Sequence, residues 1–357
     1  MRLLPLAALV VLSGCGGAAG DLSPESAHAE RAYAAGRYLE AATAFGEAAR
    51  SSPHARDREE ARYRQAMALE RGGHRADARK CINELLHDFP KGERAPRAAY
   101  EAALLDIEAG FRDAGYAELD RLLRAYPDSG VAAPALRRYL GALEPSGEGG
   151  VRAYLTALAP AVARTDLAQY VDYEIARSLE RDGERAAAQK AYLALADGYP
   201  YPRGVFWDDA LYRAADLGAM DGRAEEAIHI LERLLGAREH SYLQGSYERG
   251  RYAEAQFRIG ELYRDALGDA GRARAAFERL WAAYPTSRLR DDAAWDAALL
   301  AAAAGDRAGA CRDVEPLMTA VPMSRYAACA ARICPSLRPP AGAGPCHEYL
   351  VRAKSEP

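Results

Sequence analysis

Residues Ala66–Pro90 read AMALERGGHRADARKCINELLHDFP. Counted from Gly73, an alanine stands seven residues before (Ala66), a small residue five after (Ala78) and a bulky apolar one nine after (Ile82). Leu85 follows at twelve and Pro90 at seventeen. Working outward, a ladder of glycines appears at Gly36, Gly73, Gly110, Gly147, Gly183, Gly222, Gly268 and Gly305, with successive spacings of 37, 37, 37, 36, 39, 46 and 37 residues, and the same intervals recur around most of them. Small residues recur at Ala41, Gly115, Ala188, Ala227, Ala273 and Ala310, and bulky ones at Phe45, Leu119, Tyr192, Leu231, Phe277 and Val314. A fixed period of this length is the mark of a repeat array. The glycine ends one helix in a left-handed turn, the small residue lets the next helix approach, the bulky one fills the groove between them, and proline stops the second helix.

Composition agrees with helices. Half of the 357 residues are apolar and 27% are charged, which excludes a disordered chain. Alanine abounds, and basic charge is nearly all Arg, with Lys only at Lys80, Lys91, Lys190 and Lys354. Both Ala and Arg favour helix. A net charge of -4 supplies no clustered basic field for nucleic acid.

The ladder resembles the tetratricopeptide repeat, at slightly more than its usual length. Asp88-Phe89-Pro90, Ala125-Tyr126-Pro127-Asp128-Ser129, Gly198-Tyr199-Pro200 and Ala283-Tyr284-Pro285-Thr286-Ser287 look like a variant common in bacterial envelope proteins. Those include the lipoprotein of the β-barrel assembly machine and the Tol–Pal-associated coordinator. The resemblance implies an all-α, right-handed superhelical solenoid of about eight helix-turn-helix repeats. Repeats 1–3 are expected over residues 24–143 and repeats 5–8 over 166–322. Between them, 144–165 reads as a degenerate repeat and hinge, with Arg152 and Thr156 at the small and bulky positions and an early Pro160. The 46-residue interval carries an insertion placed near Arg238 to Gly250.

Residues 1–14 read as an export signal: Arg2, then the apolar run Leu3–Leu12, too short to span a bilayer. Leu12-Ser13-Gly14-Cys15 resembles the lipobox of bacterial lipoproteins, which implies cleavage before Cys15 and acylation of its thiol and amine. Gly16 is not Asp, and by the enterobacterial sorting rule this implies the outer membrane. Residues 15–23 are then a lipidated cysteine and tether, whose glycine-rich part reaches under about 20 Å. Beyond this run, nothing approaches 18 consecutive apolar residues, so the lipid is the expected membrane attachment.

Four cysteines, Cys311, Cys329, Cys334 and Cys346, fall near the end, where 323–357 reads as a cysteine-rich cap and tail. In an exported chain they predict two disulfides. Cys311 faces the 329–334 stretch across a turn, so Cys311–Cys329 and Cys311–Cys334 are both feasible; the preferred set is Cys311–Cys329 with Cys334–Cys346. A metal site from Cys329, Cys334, Cys346 and His347 matches no standard zinc spacing. Cys81, one residue before Ile82, reads as a small buried thiol.

No phosphate-binding loop, nucleophile elbow or HExxH is present, the histidines are scattered, and Glu59-Glu60, Glu225-Glu226 and Asp291-Asp292 open helices. The expectation is a non-enzymatic scaffold with no cofactor and no metal. Ten residues before successive ladder glycines stand Tyr63, Tyr100, Arg137, Tyr173, Tyr212, Arg258 and Trp295. By the resemblance, this position faces the concave groove, where aromatic residues and Arg suit a peptide ligand. Packing between neighbouring first helices is the other reading of the same stripe. Expected partners are envelope proteins or extended peptides, with the membrane reached through the lipid. The envelope role is outer-membrane protein assembly or cell-wall and division coordination; the alternative is an accessory to a peptidoglycan-acting enzyme or to a secretion or pilus machine. Cys15→Ser should abolish incorporation of labelled palmitate and move the protein from the detergent to the aqueous phase, since each buried methylene contributes about 0.8 kcal/mol.

Overall fold

The computed structural model describes residues 24–237, 250–342 and 344–351. The export signal, Cys15 and its lipobox, the tether and the insertion at 238–249 lie outside the described residues. The chain divides into two compact units, Met1–Ala142 and Leu143–Pro357. The first contains α1 (Pro24–Ala34), α2 (Tyr38–Ser51), α3 (Ala55–Arg71), α4 (Arg75–Asp88), α5 (Ala95–Glu108), α6 (Arg112–Ala125) and nearly all of α7 (Ala132–Leu143). The second contains α8 (Gly147–Val162), α9 (Ala168–Arg181), α10 (Arg185–Gly198), α11 (Trp207–Met220), α12 (Ala224–Gly236), α13 (Arg251–Glu261), α14 (Ala270–Ala283), α15 (Arg290–Ala303), α16 (Arg307–Val314), α17 (Leu317–Ala320) and α18 (Ala330–Ile333). Within each unit successive helices pack in sequential pairs, an all-α architecture of tetratricopeptide-like repeats. No helix of the described residues is long and apolar enough to cross a membrane.

The eight ladder glycines all have positive φ, between 65° and 93°. At Gly183 the turn closes with two hydrogen bonds, Gly183 N–H to Glu180 O and Glu184 N–H to Leu179 O, each 3.0 Å. This is the Schellman pattern, which satisfies the last carbonyls of the first helix. Past the turn, the small residue seats the second helix. A Cβ on Gly115 would stand 2.7 Å from the Ala103 carbonyl of α5. The bulky positions Ile82, Leu119, Tyr192, Leu231 and Phe277 are all fully buried.

Two register shifts are invisible to a fixed period. In α8 the buried residues are Val151, Leu155, Leu158 and Val162, the first three each one place earlier than the ladder requires. A short 3-10 turn, Glu144–Ser146, precedes Gly147, and the helix begins at the glycine itself rather than two residues after it. The stretch 144–165, expected as a degenerate repeat and hinge, contains the helix α8, whose buried positions run one residue early and which carries Pro160. Arg152 then points at the turn between α9 and α10, where it pairs with Asp182 at 2.5 Å and Glu184 at 3.1 Å. The opposite shift occurs at α13, which runs into a π-turn, Leu262–Ala266. Asp269 N–H donates to Tyr263 O at 2.7 Å, so one extra residue sits before Gly268. The alanine position of the first helix therefore falls on Gly260, where a Cβ would stand 2.5 Å from Phe277 Cε1.

The cysteines pair as Cys311–Cys334 and Cys329–Cys346, with Cα–Cα distances of 5.0 and 4.8 Å. The preferred set, Cys311–Cys329 with Cys334–Cys346, is corrected. Cys329 and Cys334 leave different sides of one short helical segment, so only Cys334 faces α16. Gly342, 37 residues beyond Gly305, also has positive φ and marks a ninth, truncated unit within the cap. Each closed loop contributes roughly 3 kcal/mol by restricting the unfolded chain. That support stands where the helices α17 and α18 are only four residues long. Cys81 is a buried free thiol whose pKa burial pushes up to about 11.

Gly260→Ala should lower stability by about 1–3 kcal/mol through overpacking against Phe277. Gly141→Ala, where nothing lies within 4 Å of the added atom, should raise it by up to about 1 kcal/mol. Urea unfolding of both variants checks the pair.

The aromatic stripe on the first helices

Four stripe residues are covered by the residue that opens the next first helix. Arg94 lies 5.1 Å over the Tyr63 ring and Arg251 lies 4.8 Å over Tyr212. Phe206 stacks on Tyr173 with centroids 4.0 Å apart and planes 7° apart, and Tyr326 stacks on Trp295 at 5.1 Å. Such cation–π and offset contacts contribute about 0.5–1.5 kcal/mol each. The stripe is therefore a packing device between consecutive first helices.

Its accessibility varies. Tyr173 is 8% exposed and Trp295 1%, so neither presents its ring to an open face. Tyr63, Tyr100 and Tyr212 are half-buried, and Arg137 is exposed. Arg258 does not occupy the stripe. The π-turn shifts α13 by one residue, so Phe257 stands where Tyr212 stands in α11. Arg258 takes the place of Arg213 and pairs with Asp216 at 2.9 Å and Glu261 at 3.1 Å.

Beside Tyr63 the stripe opens into a pocket of about 210 Å³, lined by Glu30, Tyr33, Phe45, Tyr63, Arg64 and Met67. Arg64 pairs with both Glu30 and Glu60, and Arg94 also reaches Glu60, at 3.0 Å. Phe257, Tyr33 and the covering residues Arg94, Phe206, Arg251 and Tyr326 were not singled out in the sequence. The covering residues carry a weak signal, a spacing of 31 to 39 residues from the stripe position, which the loop lengths blur.

In the second unit, Asp209 gathers the polar ends of three helices. It accepts from the Tyr173 hydroxyl, from Arg213 Nε at 2.6 Å and from Arg251 Nε at 2.8 Å. Arg213 extends the chain to Glu180 at 3.0 Å, which accepts from Tyr192 Oη at 2.6 Å. Burial, then Asp209, pushes the Tyr173 phenol up to about 12, and burial with Glu180 raises Tyr192 further. Burial would raise Asp209, but its donors Tyr173, Arg213 and Arg251 outweigh it and hold the carboxyl below the usual range. At neutral pH both phenols are thus fixed donors and Asp209 a fixed acceptor. The arrangement rigidifies and orients; it holds no group poised to exchange a proton. Among the described residues, no three His, Cys, Asp or Glu side chains are grouped to hold a metal ion.

Asp209→Asn should cost about 1–3 kcal/mol at pH 7, since two arginines and a phenol lose a charged partner. Because the folded-state pKa is depressed, the wild-type advantage is present above the unfolded value near 3.9 and disappears as pH falls through the folded value. Denaturant unfolding of both proteins from pH 7 to pH 2 should show the curves converging in acid.

The tetratricopeptide repeat profile matches residues 60–92 and 254–287. No curated protein shows significant sequence similarity to the chain. Among solved structures, the chain is similar to the C-terminal part of a TPR repeat-containing protein from Cytophaga hutchinsonii. The identity is 14%, covering 75% of this chain and 98% of that one, with a TM-score of 0.44. It is similar to PilW, a widely conserved type IV pilus biogenesis factor, at 16% identity over 66% of this chain and 97% of that one, TM-score 0.38. A tetratricopeptide repeat protein from Parabacteroides merdae shares 14% identity over 74% and 94% of the two chains, TM-score 0.31. Two segments of the chain thus match the tetratricopeptide repeat, within an all-α array of sequential, tetratricopeptide-like helix pairs.

Proposed function

We propose that the chain is a non-enzymatic scaffold, anchored through lipid at Cys15 to the periplasmic face of the outer membrane, which captures an extended peptide or a segment of another envelope protein on its first-helix face. The open aromatic pocket beside Tyr63 carries this reading. It joins rings that bury apolar area with Glu30 and Arg64 at its edge, the mixture found at peptide hot spots. Charges along the face are compensated pair by pair, as in Arg64 with Glu30, Arg97 with Glu101 and Arg258 with Asp216. A face without net field selects by shape, aromatic contact and hydrogen bonding rather than by attraction to a polyanion. Two disulfides at the C-terminal end suit an oxidising compartment outside the cytoplasm. The process served is outer-membrane protein assembly or coordination of cell-wall synthesis and division, and an accessory role beside a peptidoglycan-acting enzyme or a secretion or pilus machine is the alternative.

A photo-crosslinking residue at Met67 or Tyr100, compared with one at the exposed Lys80 of α4, tests the face in cells. Capture from Met67 and Tyr100 but not Lys80 is expected, and Tyr63→Ala with Tyr100→Ala should remove it without loss of helicity. Barrel precursors among the captured proteins point to assembly, and cell-wall or division components to coordination. Equal capture from Lys80 would defeat the reading, as would peptidoglycan lysis by the purified protein.

A further inference from the structure

Trp295 lies beneath the chain's own C-terminal segment. Its indole Nε1–H donates to the Leu350 carbonyl at 2.7 Å, and the bond is buried. Leu350 is buried in the same cluster, with Cys346 and Val351 packed against it, while Tyr349 between them is 66% exposed. The segment belongs to no helix pair. Residues 344–347 have no regular structure, and Glu348–Leu350 form one 3-10 turn. Cys329–Cys346 ties it down.

The positions decide what this contact means. Trp295 stands ten residues before Gly305, as Tyr63, Tyr100, Tyr173 and Tyr212 stand before their glycines. Cys329 stands thirteen before Gly342, as Asp209 stands before Gly222 and Asp292 before Gly305. Asp209 reaches the stripe residue Tyr173, and Asp292 reaches Tyr326, which covers the stripe residue Trp295, so side chains at this place lie beside the stripe. A stripe side chain thus donates to a backbone carbonyl, the leucine bearing that carbonyl is buried, and the next side chain back points to solvent. That is the contact set by which a groove holds a peptide.

We propose that the Trp295 face is a peptide-binding site occupied in cis by residues 346–351 and held shut by Cys329–Cys346. Its ligand in trans is a short peptide carrying a leucine whose own carbonyl accepts from the indole. The inference rests on the first-helix face being the peptide-binding face. A dithiol opens the site. One thiolate of the reductant attacks Cys346 Sγ, the Cys329–Cys346 bond breaks, and Cys329 leaves as a thiolate that takes up a proton. The second thiolate of the reductant attacks its own sulfur in the mixed disulfide and releases Cys346, which is likewise protonated. The reductant departs as a disulfide, having given two electrons. Cys311–Cys334 still joins α16 to the end of α18, so the Trp295–Tyr326 stack keeps its support.

The test titrates full-length protein into a fluorescein-labelled peptide of residues 344–351 carrying Cys346→Ser. Oxidised wild type should not bind, because the tethered segment competes at a high effective concentration. The full-length variant Cys329→Ser/Cys346→Ser/Leu350→Asp, whose segment is ejected, should bind saturably. Adding Trp295→Phe, which keeps a ring and loses the donor, should weaken that binding about tenfold, the loss of one hydrogen bond. Binding by oxidised wild type as tight as by the variant overturns the proposal. So does a variant with native helicity and an intact Cys311–Cys334 that fails to bind. If the variant loses helicity, hydrogen exchange on wild type with and without dithiothreitol decides. Leu350 and Val351 amides that open before the α15 backbone when reduced support a removable segment; exchange in step with α15 makes it a fixed cap and overturns the proposal. These readouts report only on Trp295, so they fail or succeed independently of crosslinking at Met67 and Tyr100.

Discussion

The close approach of each helix pair is the constraint on which the rest depends. A left-handed glycine turn reverses the chain within two residues, and only small residues at the crossing let two alanine-rich helices approach. At Gly115 and Gly260 the clearance is too small for a Cβ without movement of the neighbour. Once that distance is set, bulky residues such as Ile82 and Phe277 have one groove to fill. The faces left over, on the first helices, are where inter-repeat contacts and recognition compete for the same side chains.

That competition explains the stripe. A Tyr ten residues before the glycine can be covered by the residue opening the next first helix, or left open to a ligand. Phe206 covers Tyr173 almost fully, whereas Tyr63, under Arg94 at 5.1 Å, also borders a pocket between α1 and α3. The difference is chemical. A flat ring stacks over the whole face of a phenol, while a guanidinium drawn sideways by Glu60 covers only part of it. Polar networks then lock each arrangement. Asp209 and Glu180 hold the phenols of Tyr173 and Tyr192 and two arginines in fixed donor roles, so this part of the face is rigid and closed.

The cysteine-rich cap solves a different problem, holding together a repeat whose helices α17 and α18 are only four residues long. Two disulfides join α16, α18 and the final segment over a cluster built on Trp295, Tyr326 and Leu317. The ninth glycine turn at Gly342 shows that the cap is a shortened repeat rather than an unrelated tail. Covalent links replace the apolar area that its short helices cannot bury.

The glycine ladder by itself determined the helix pairs, their turns and their buried small and bulky positions, because these depend on local backbone conformation and a fixed period. Cys81 and the alanine crossings were legible for the same reason. Only the tertiary structure decided register where a helix gained or lost a residue. The π-turn after α13 moved the stripe from Arg258 to Phe257, and the early start of α8 moved its buried positions one residue back. It also decided which cysteines meet and which tyrosines are covered. Those outcomes depend on the direction a side chain leaves its helix and on the neighbour it meets, and a one-residue shift rotates that direction by about 100°.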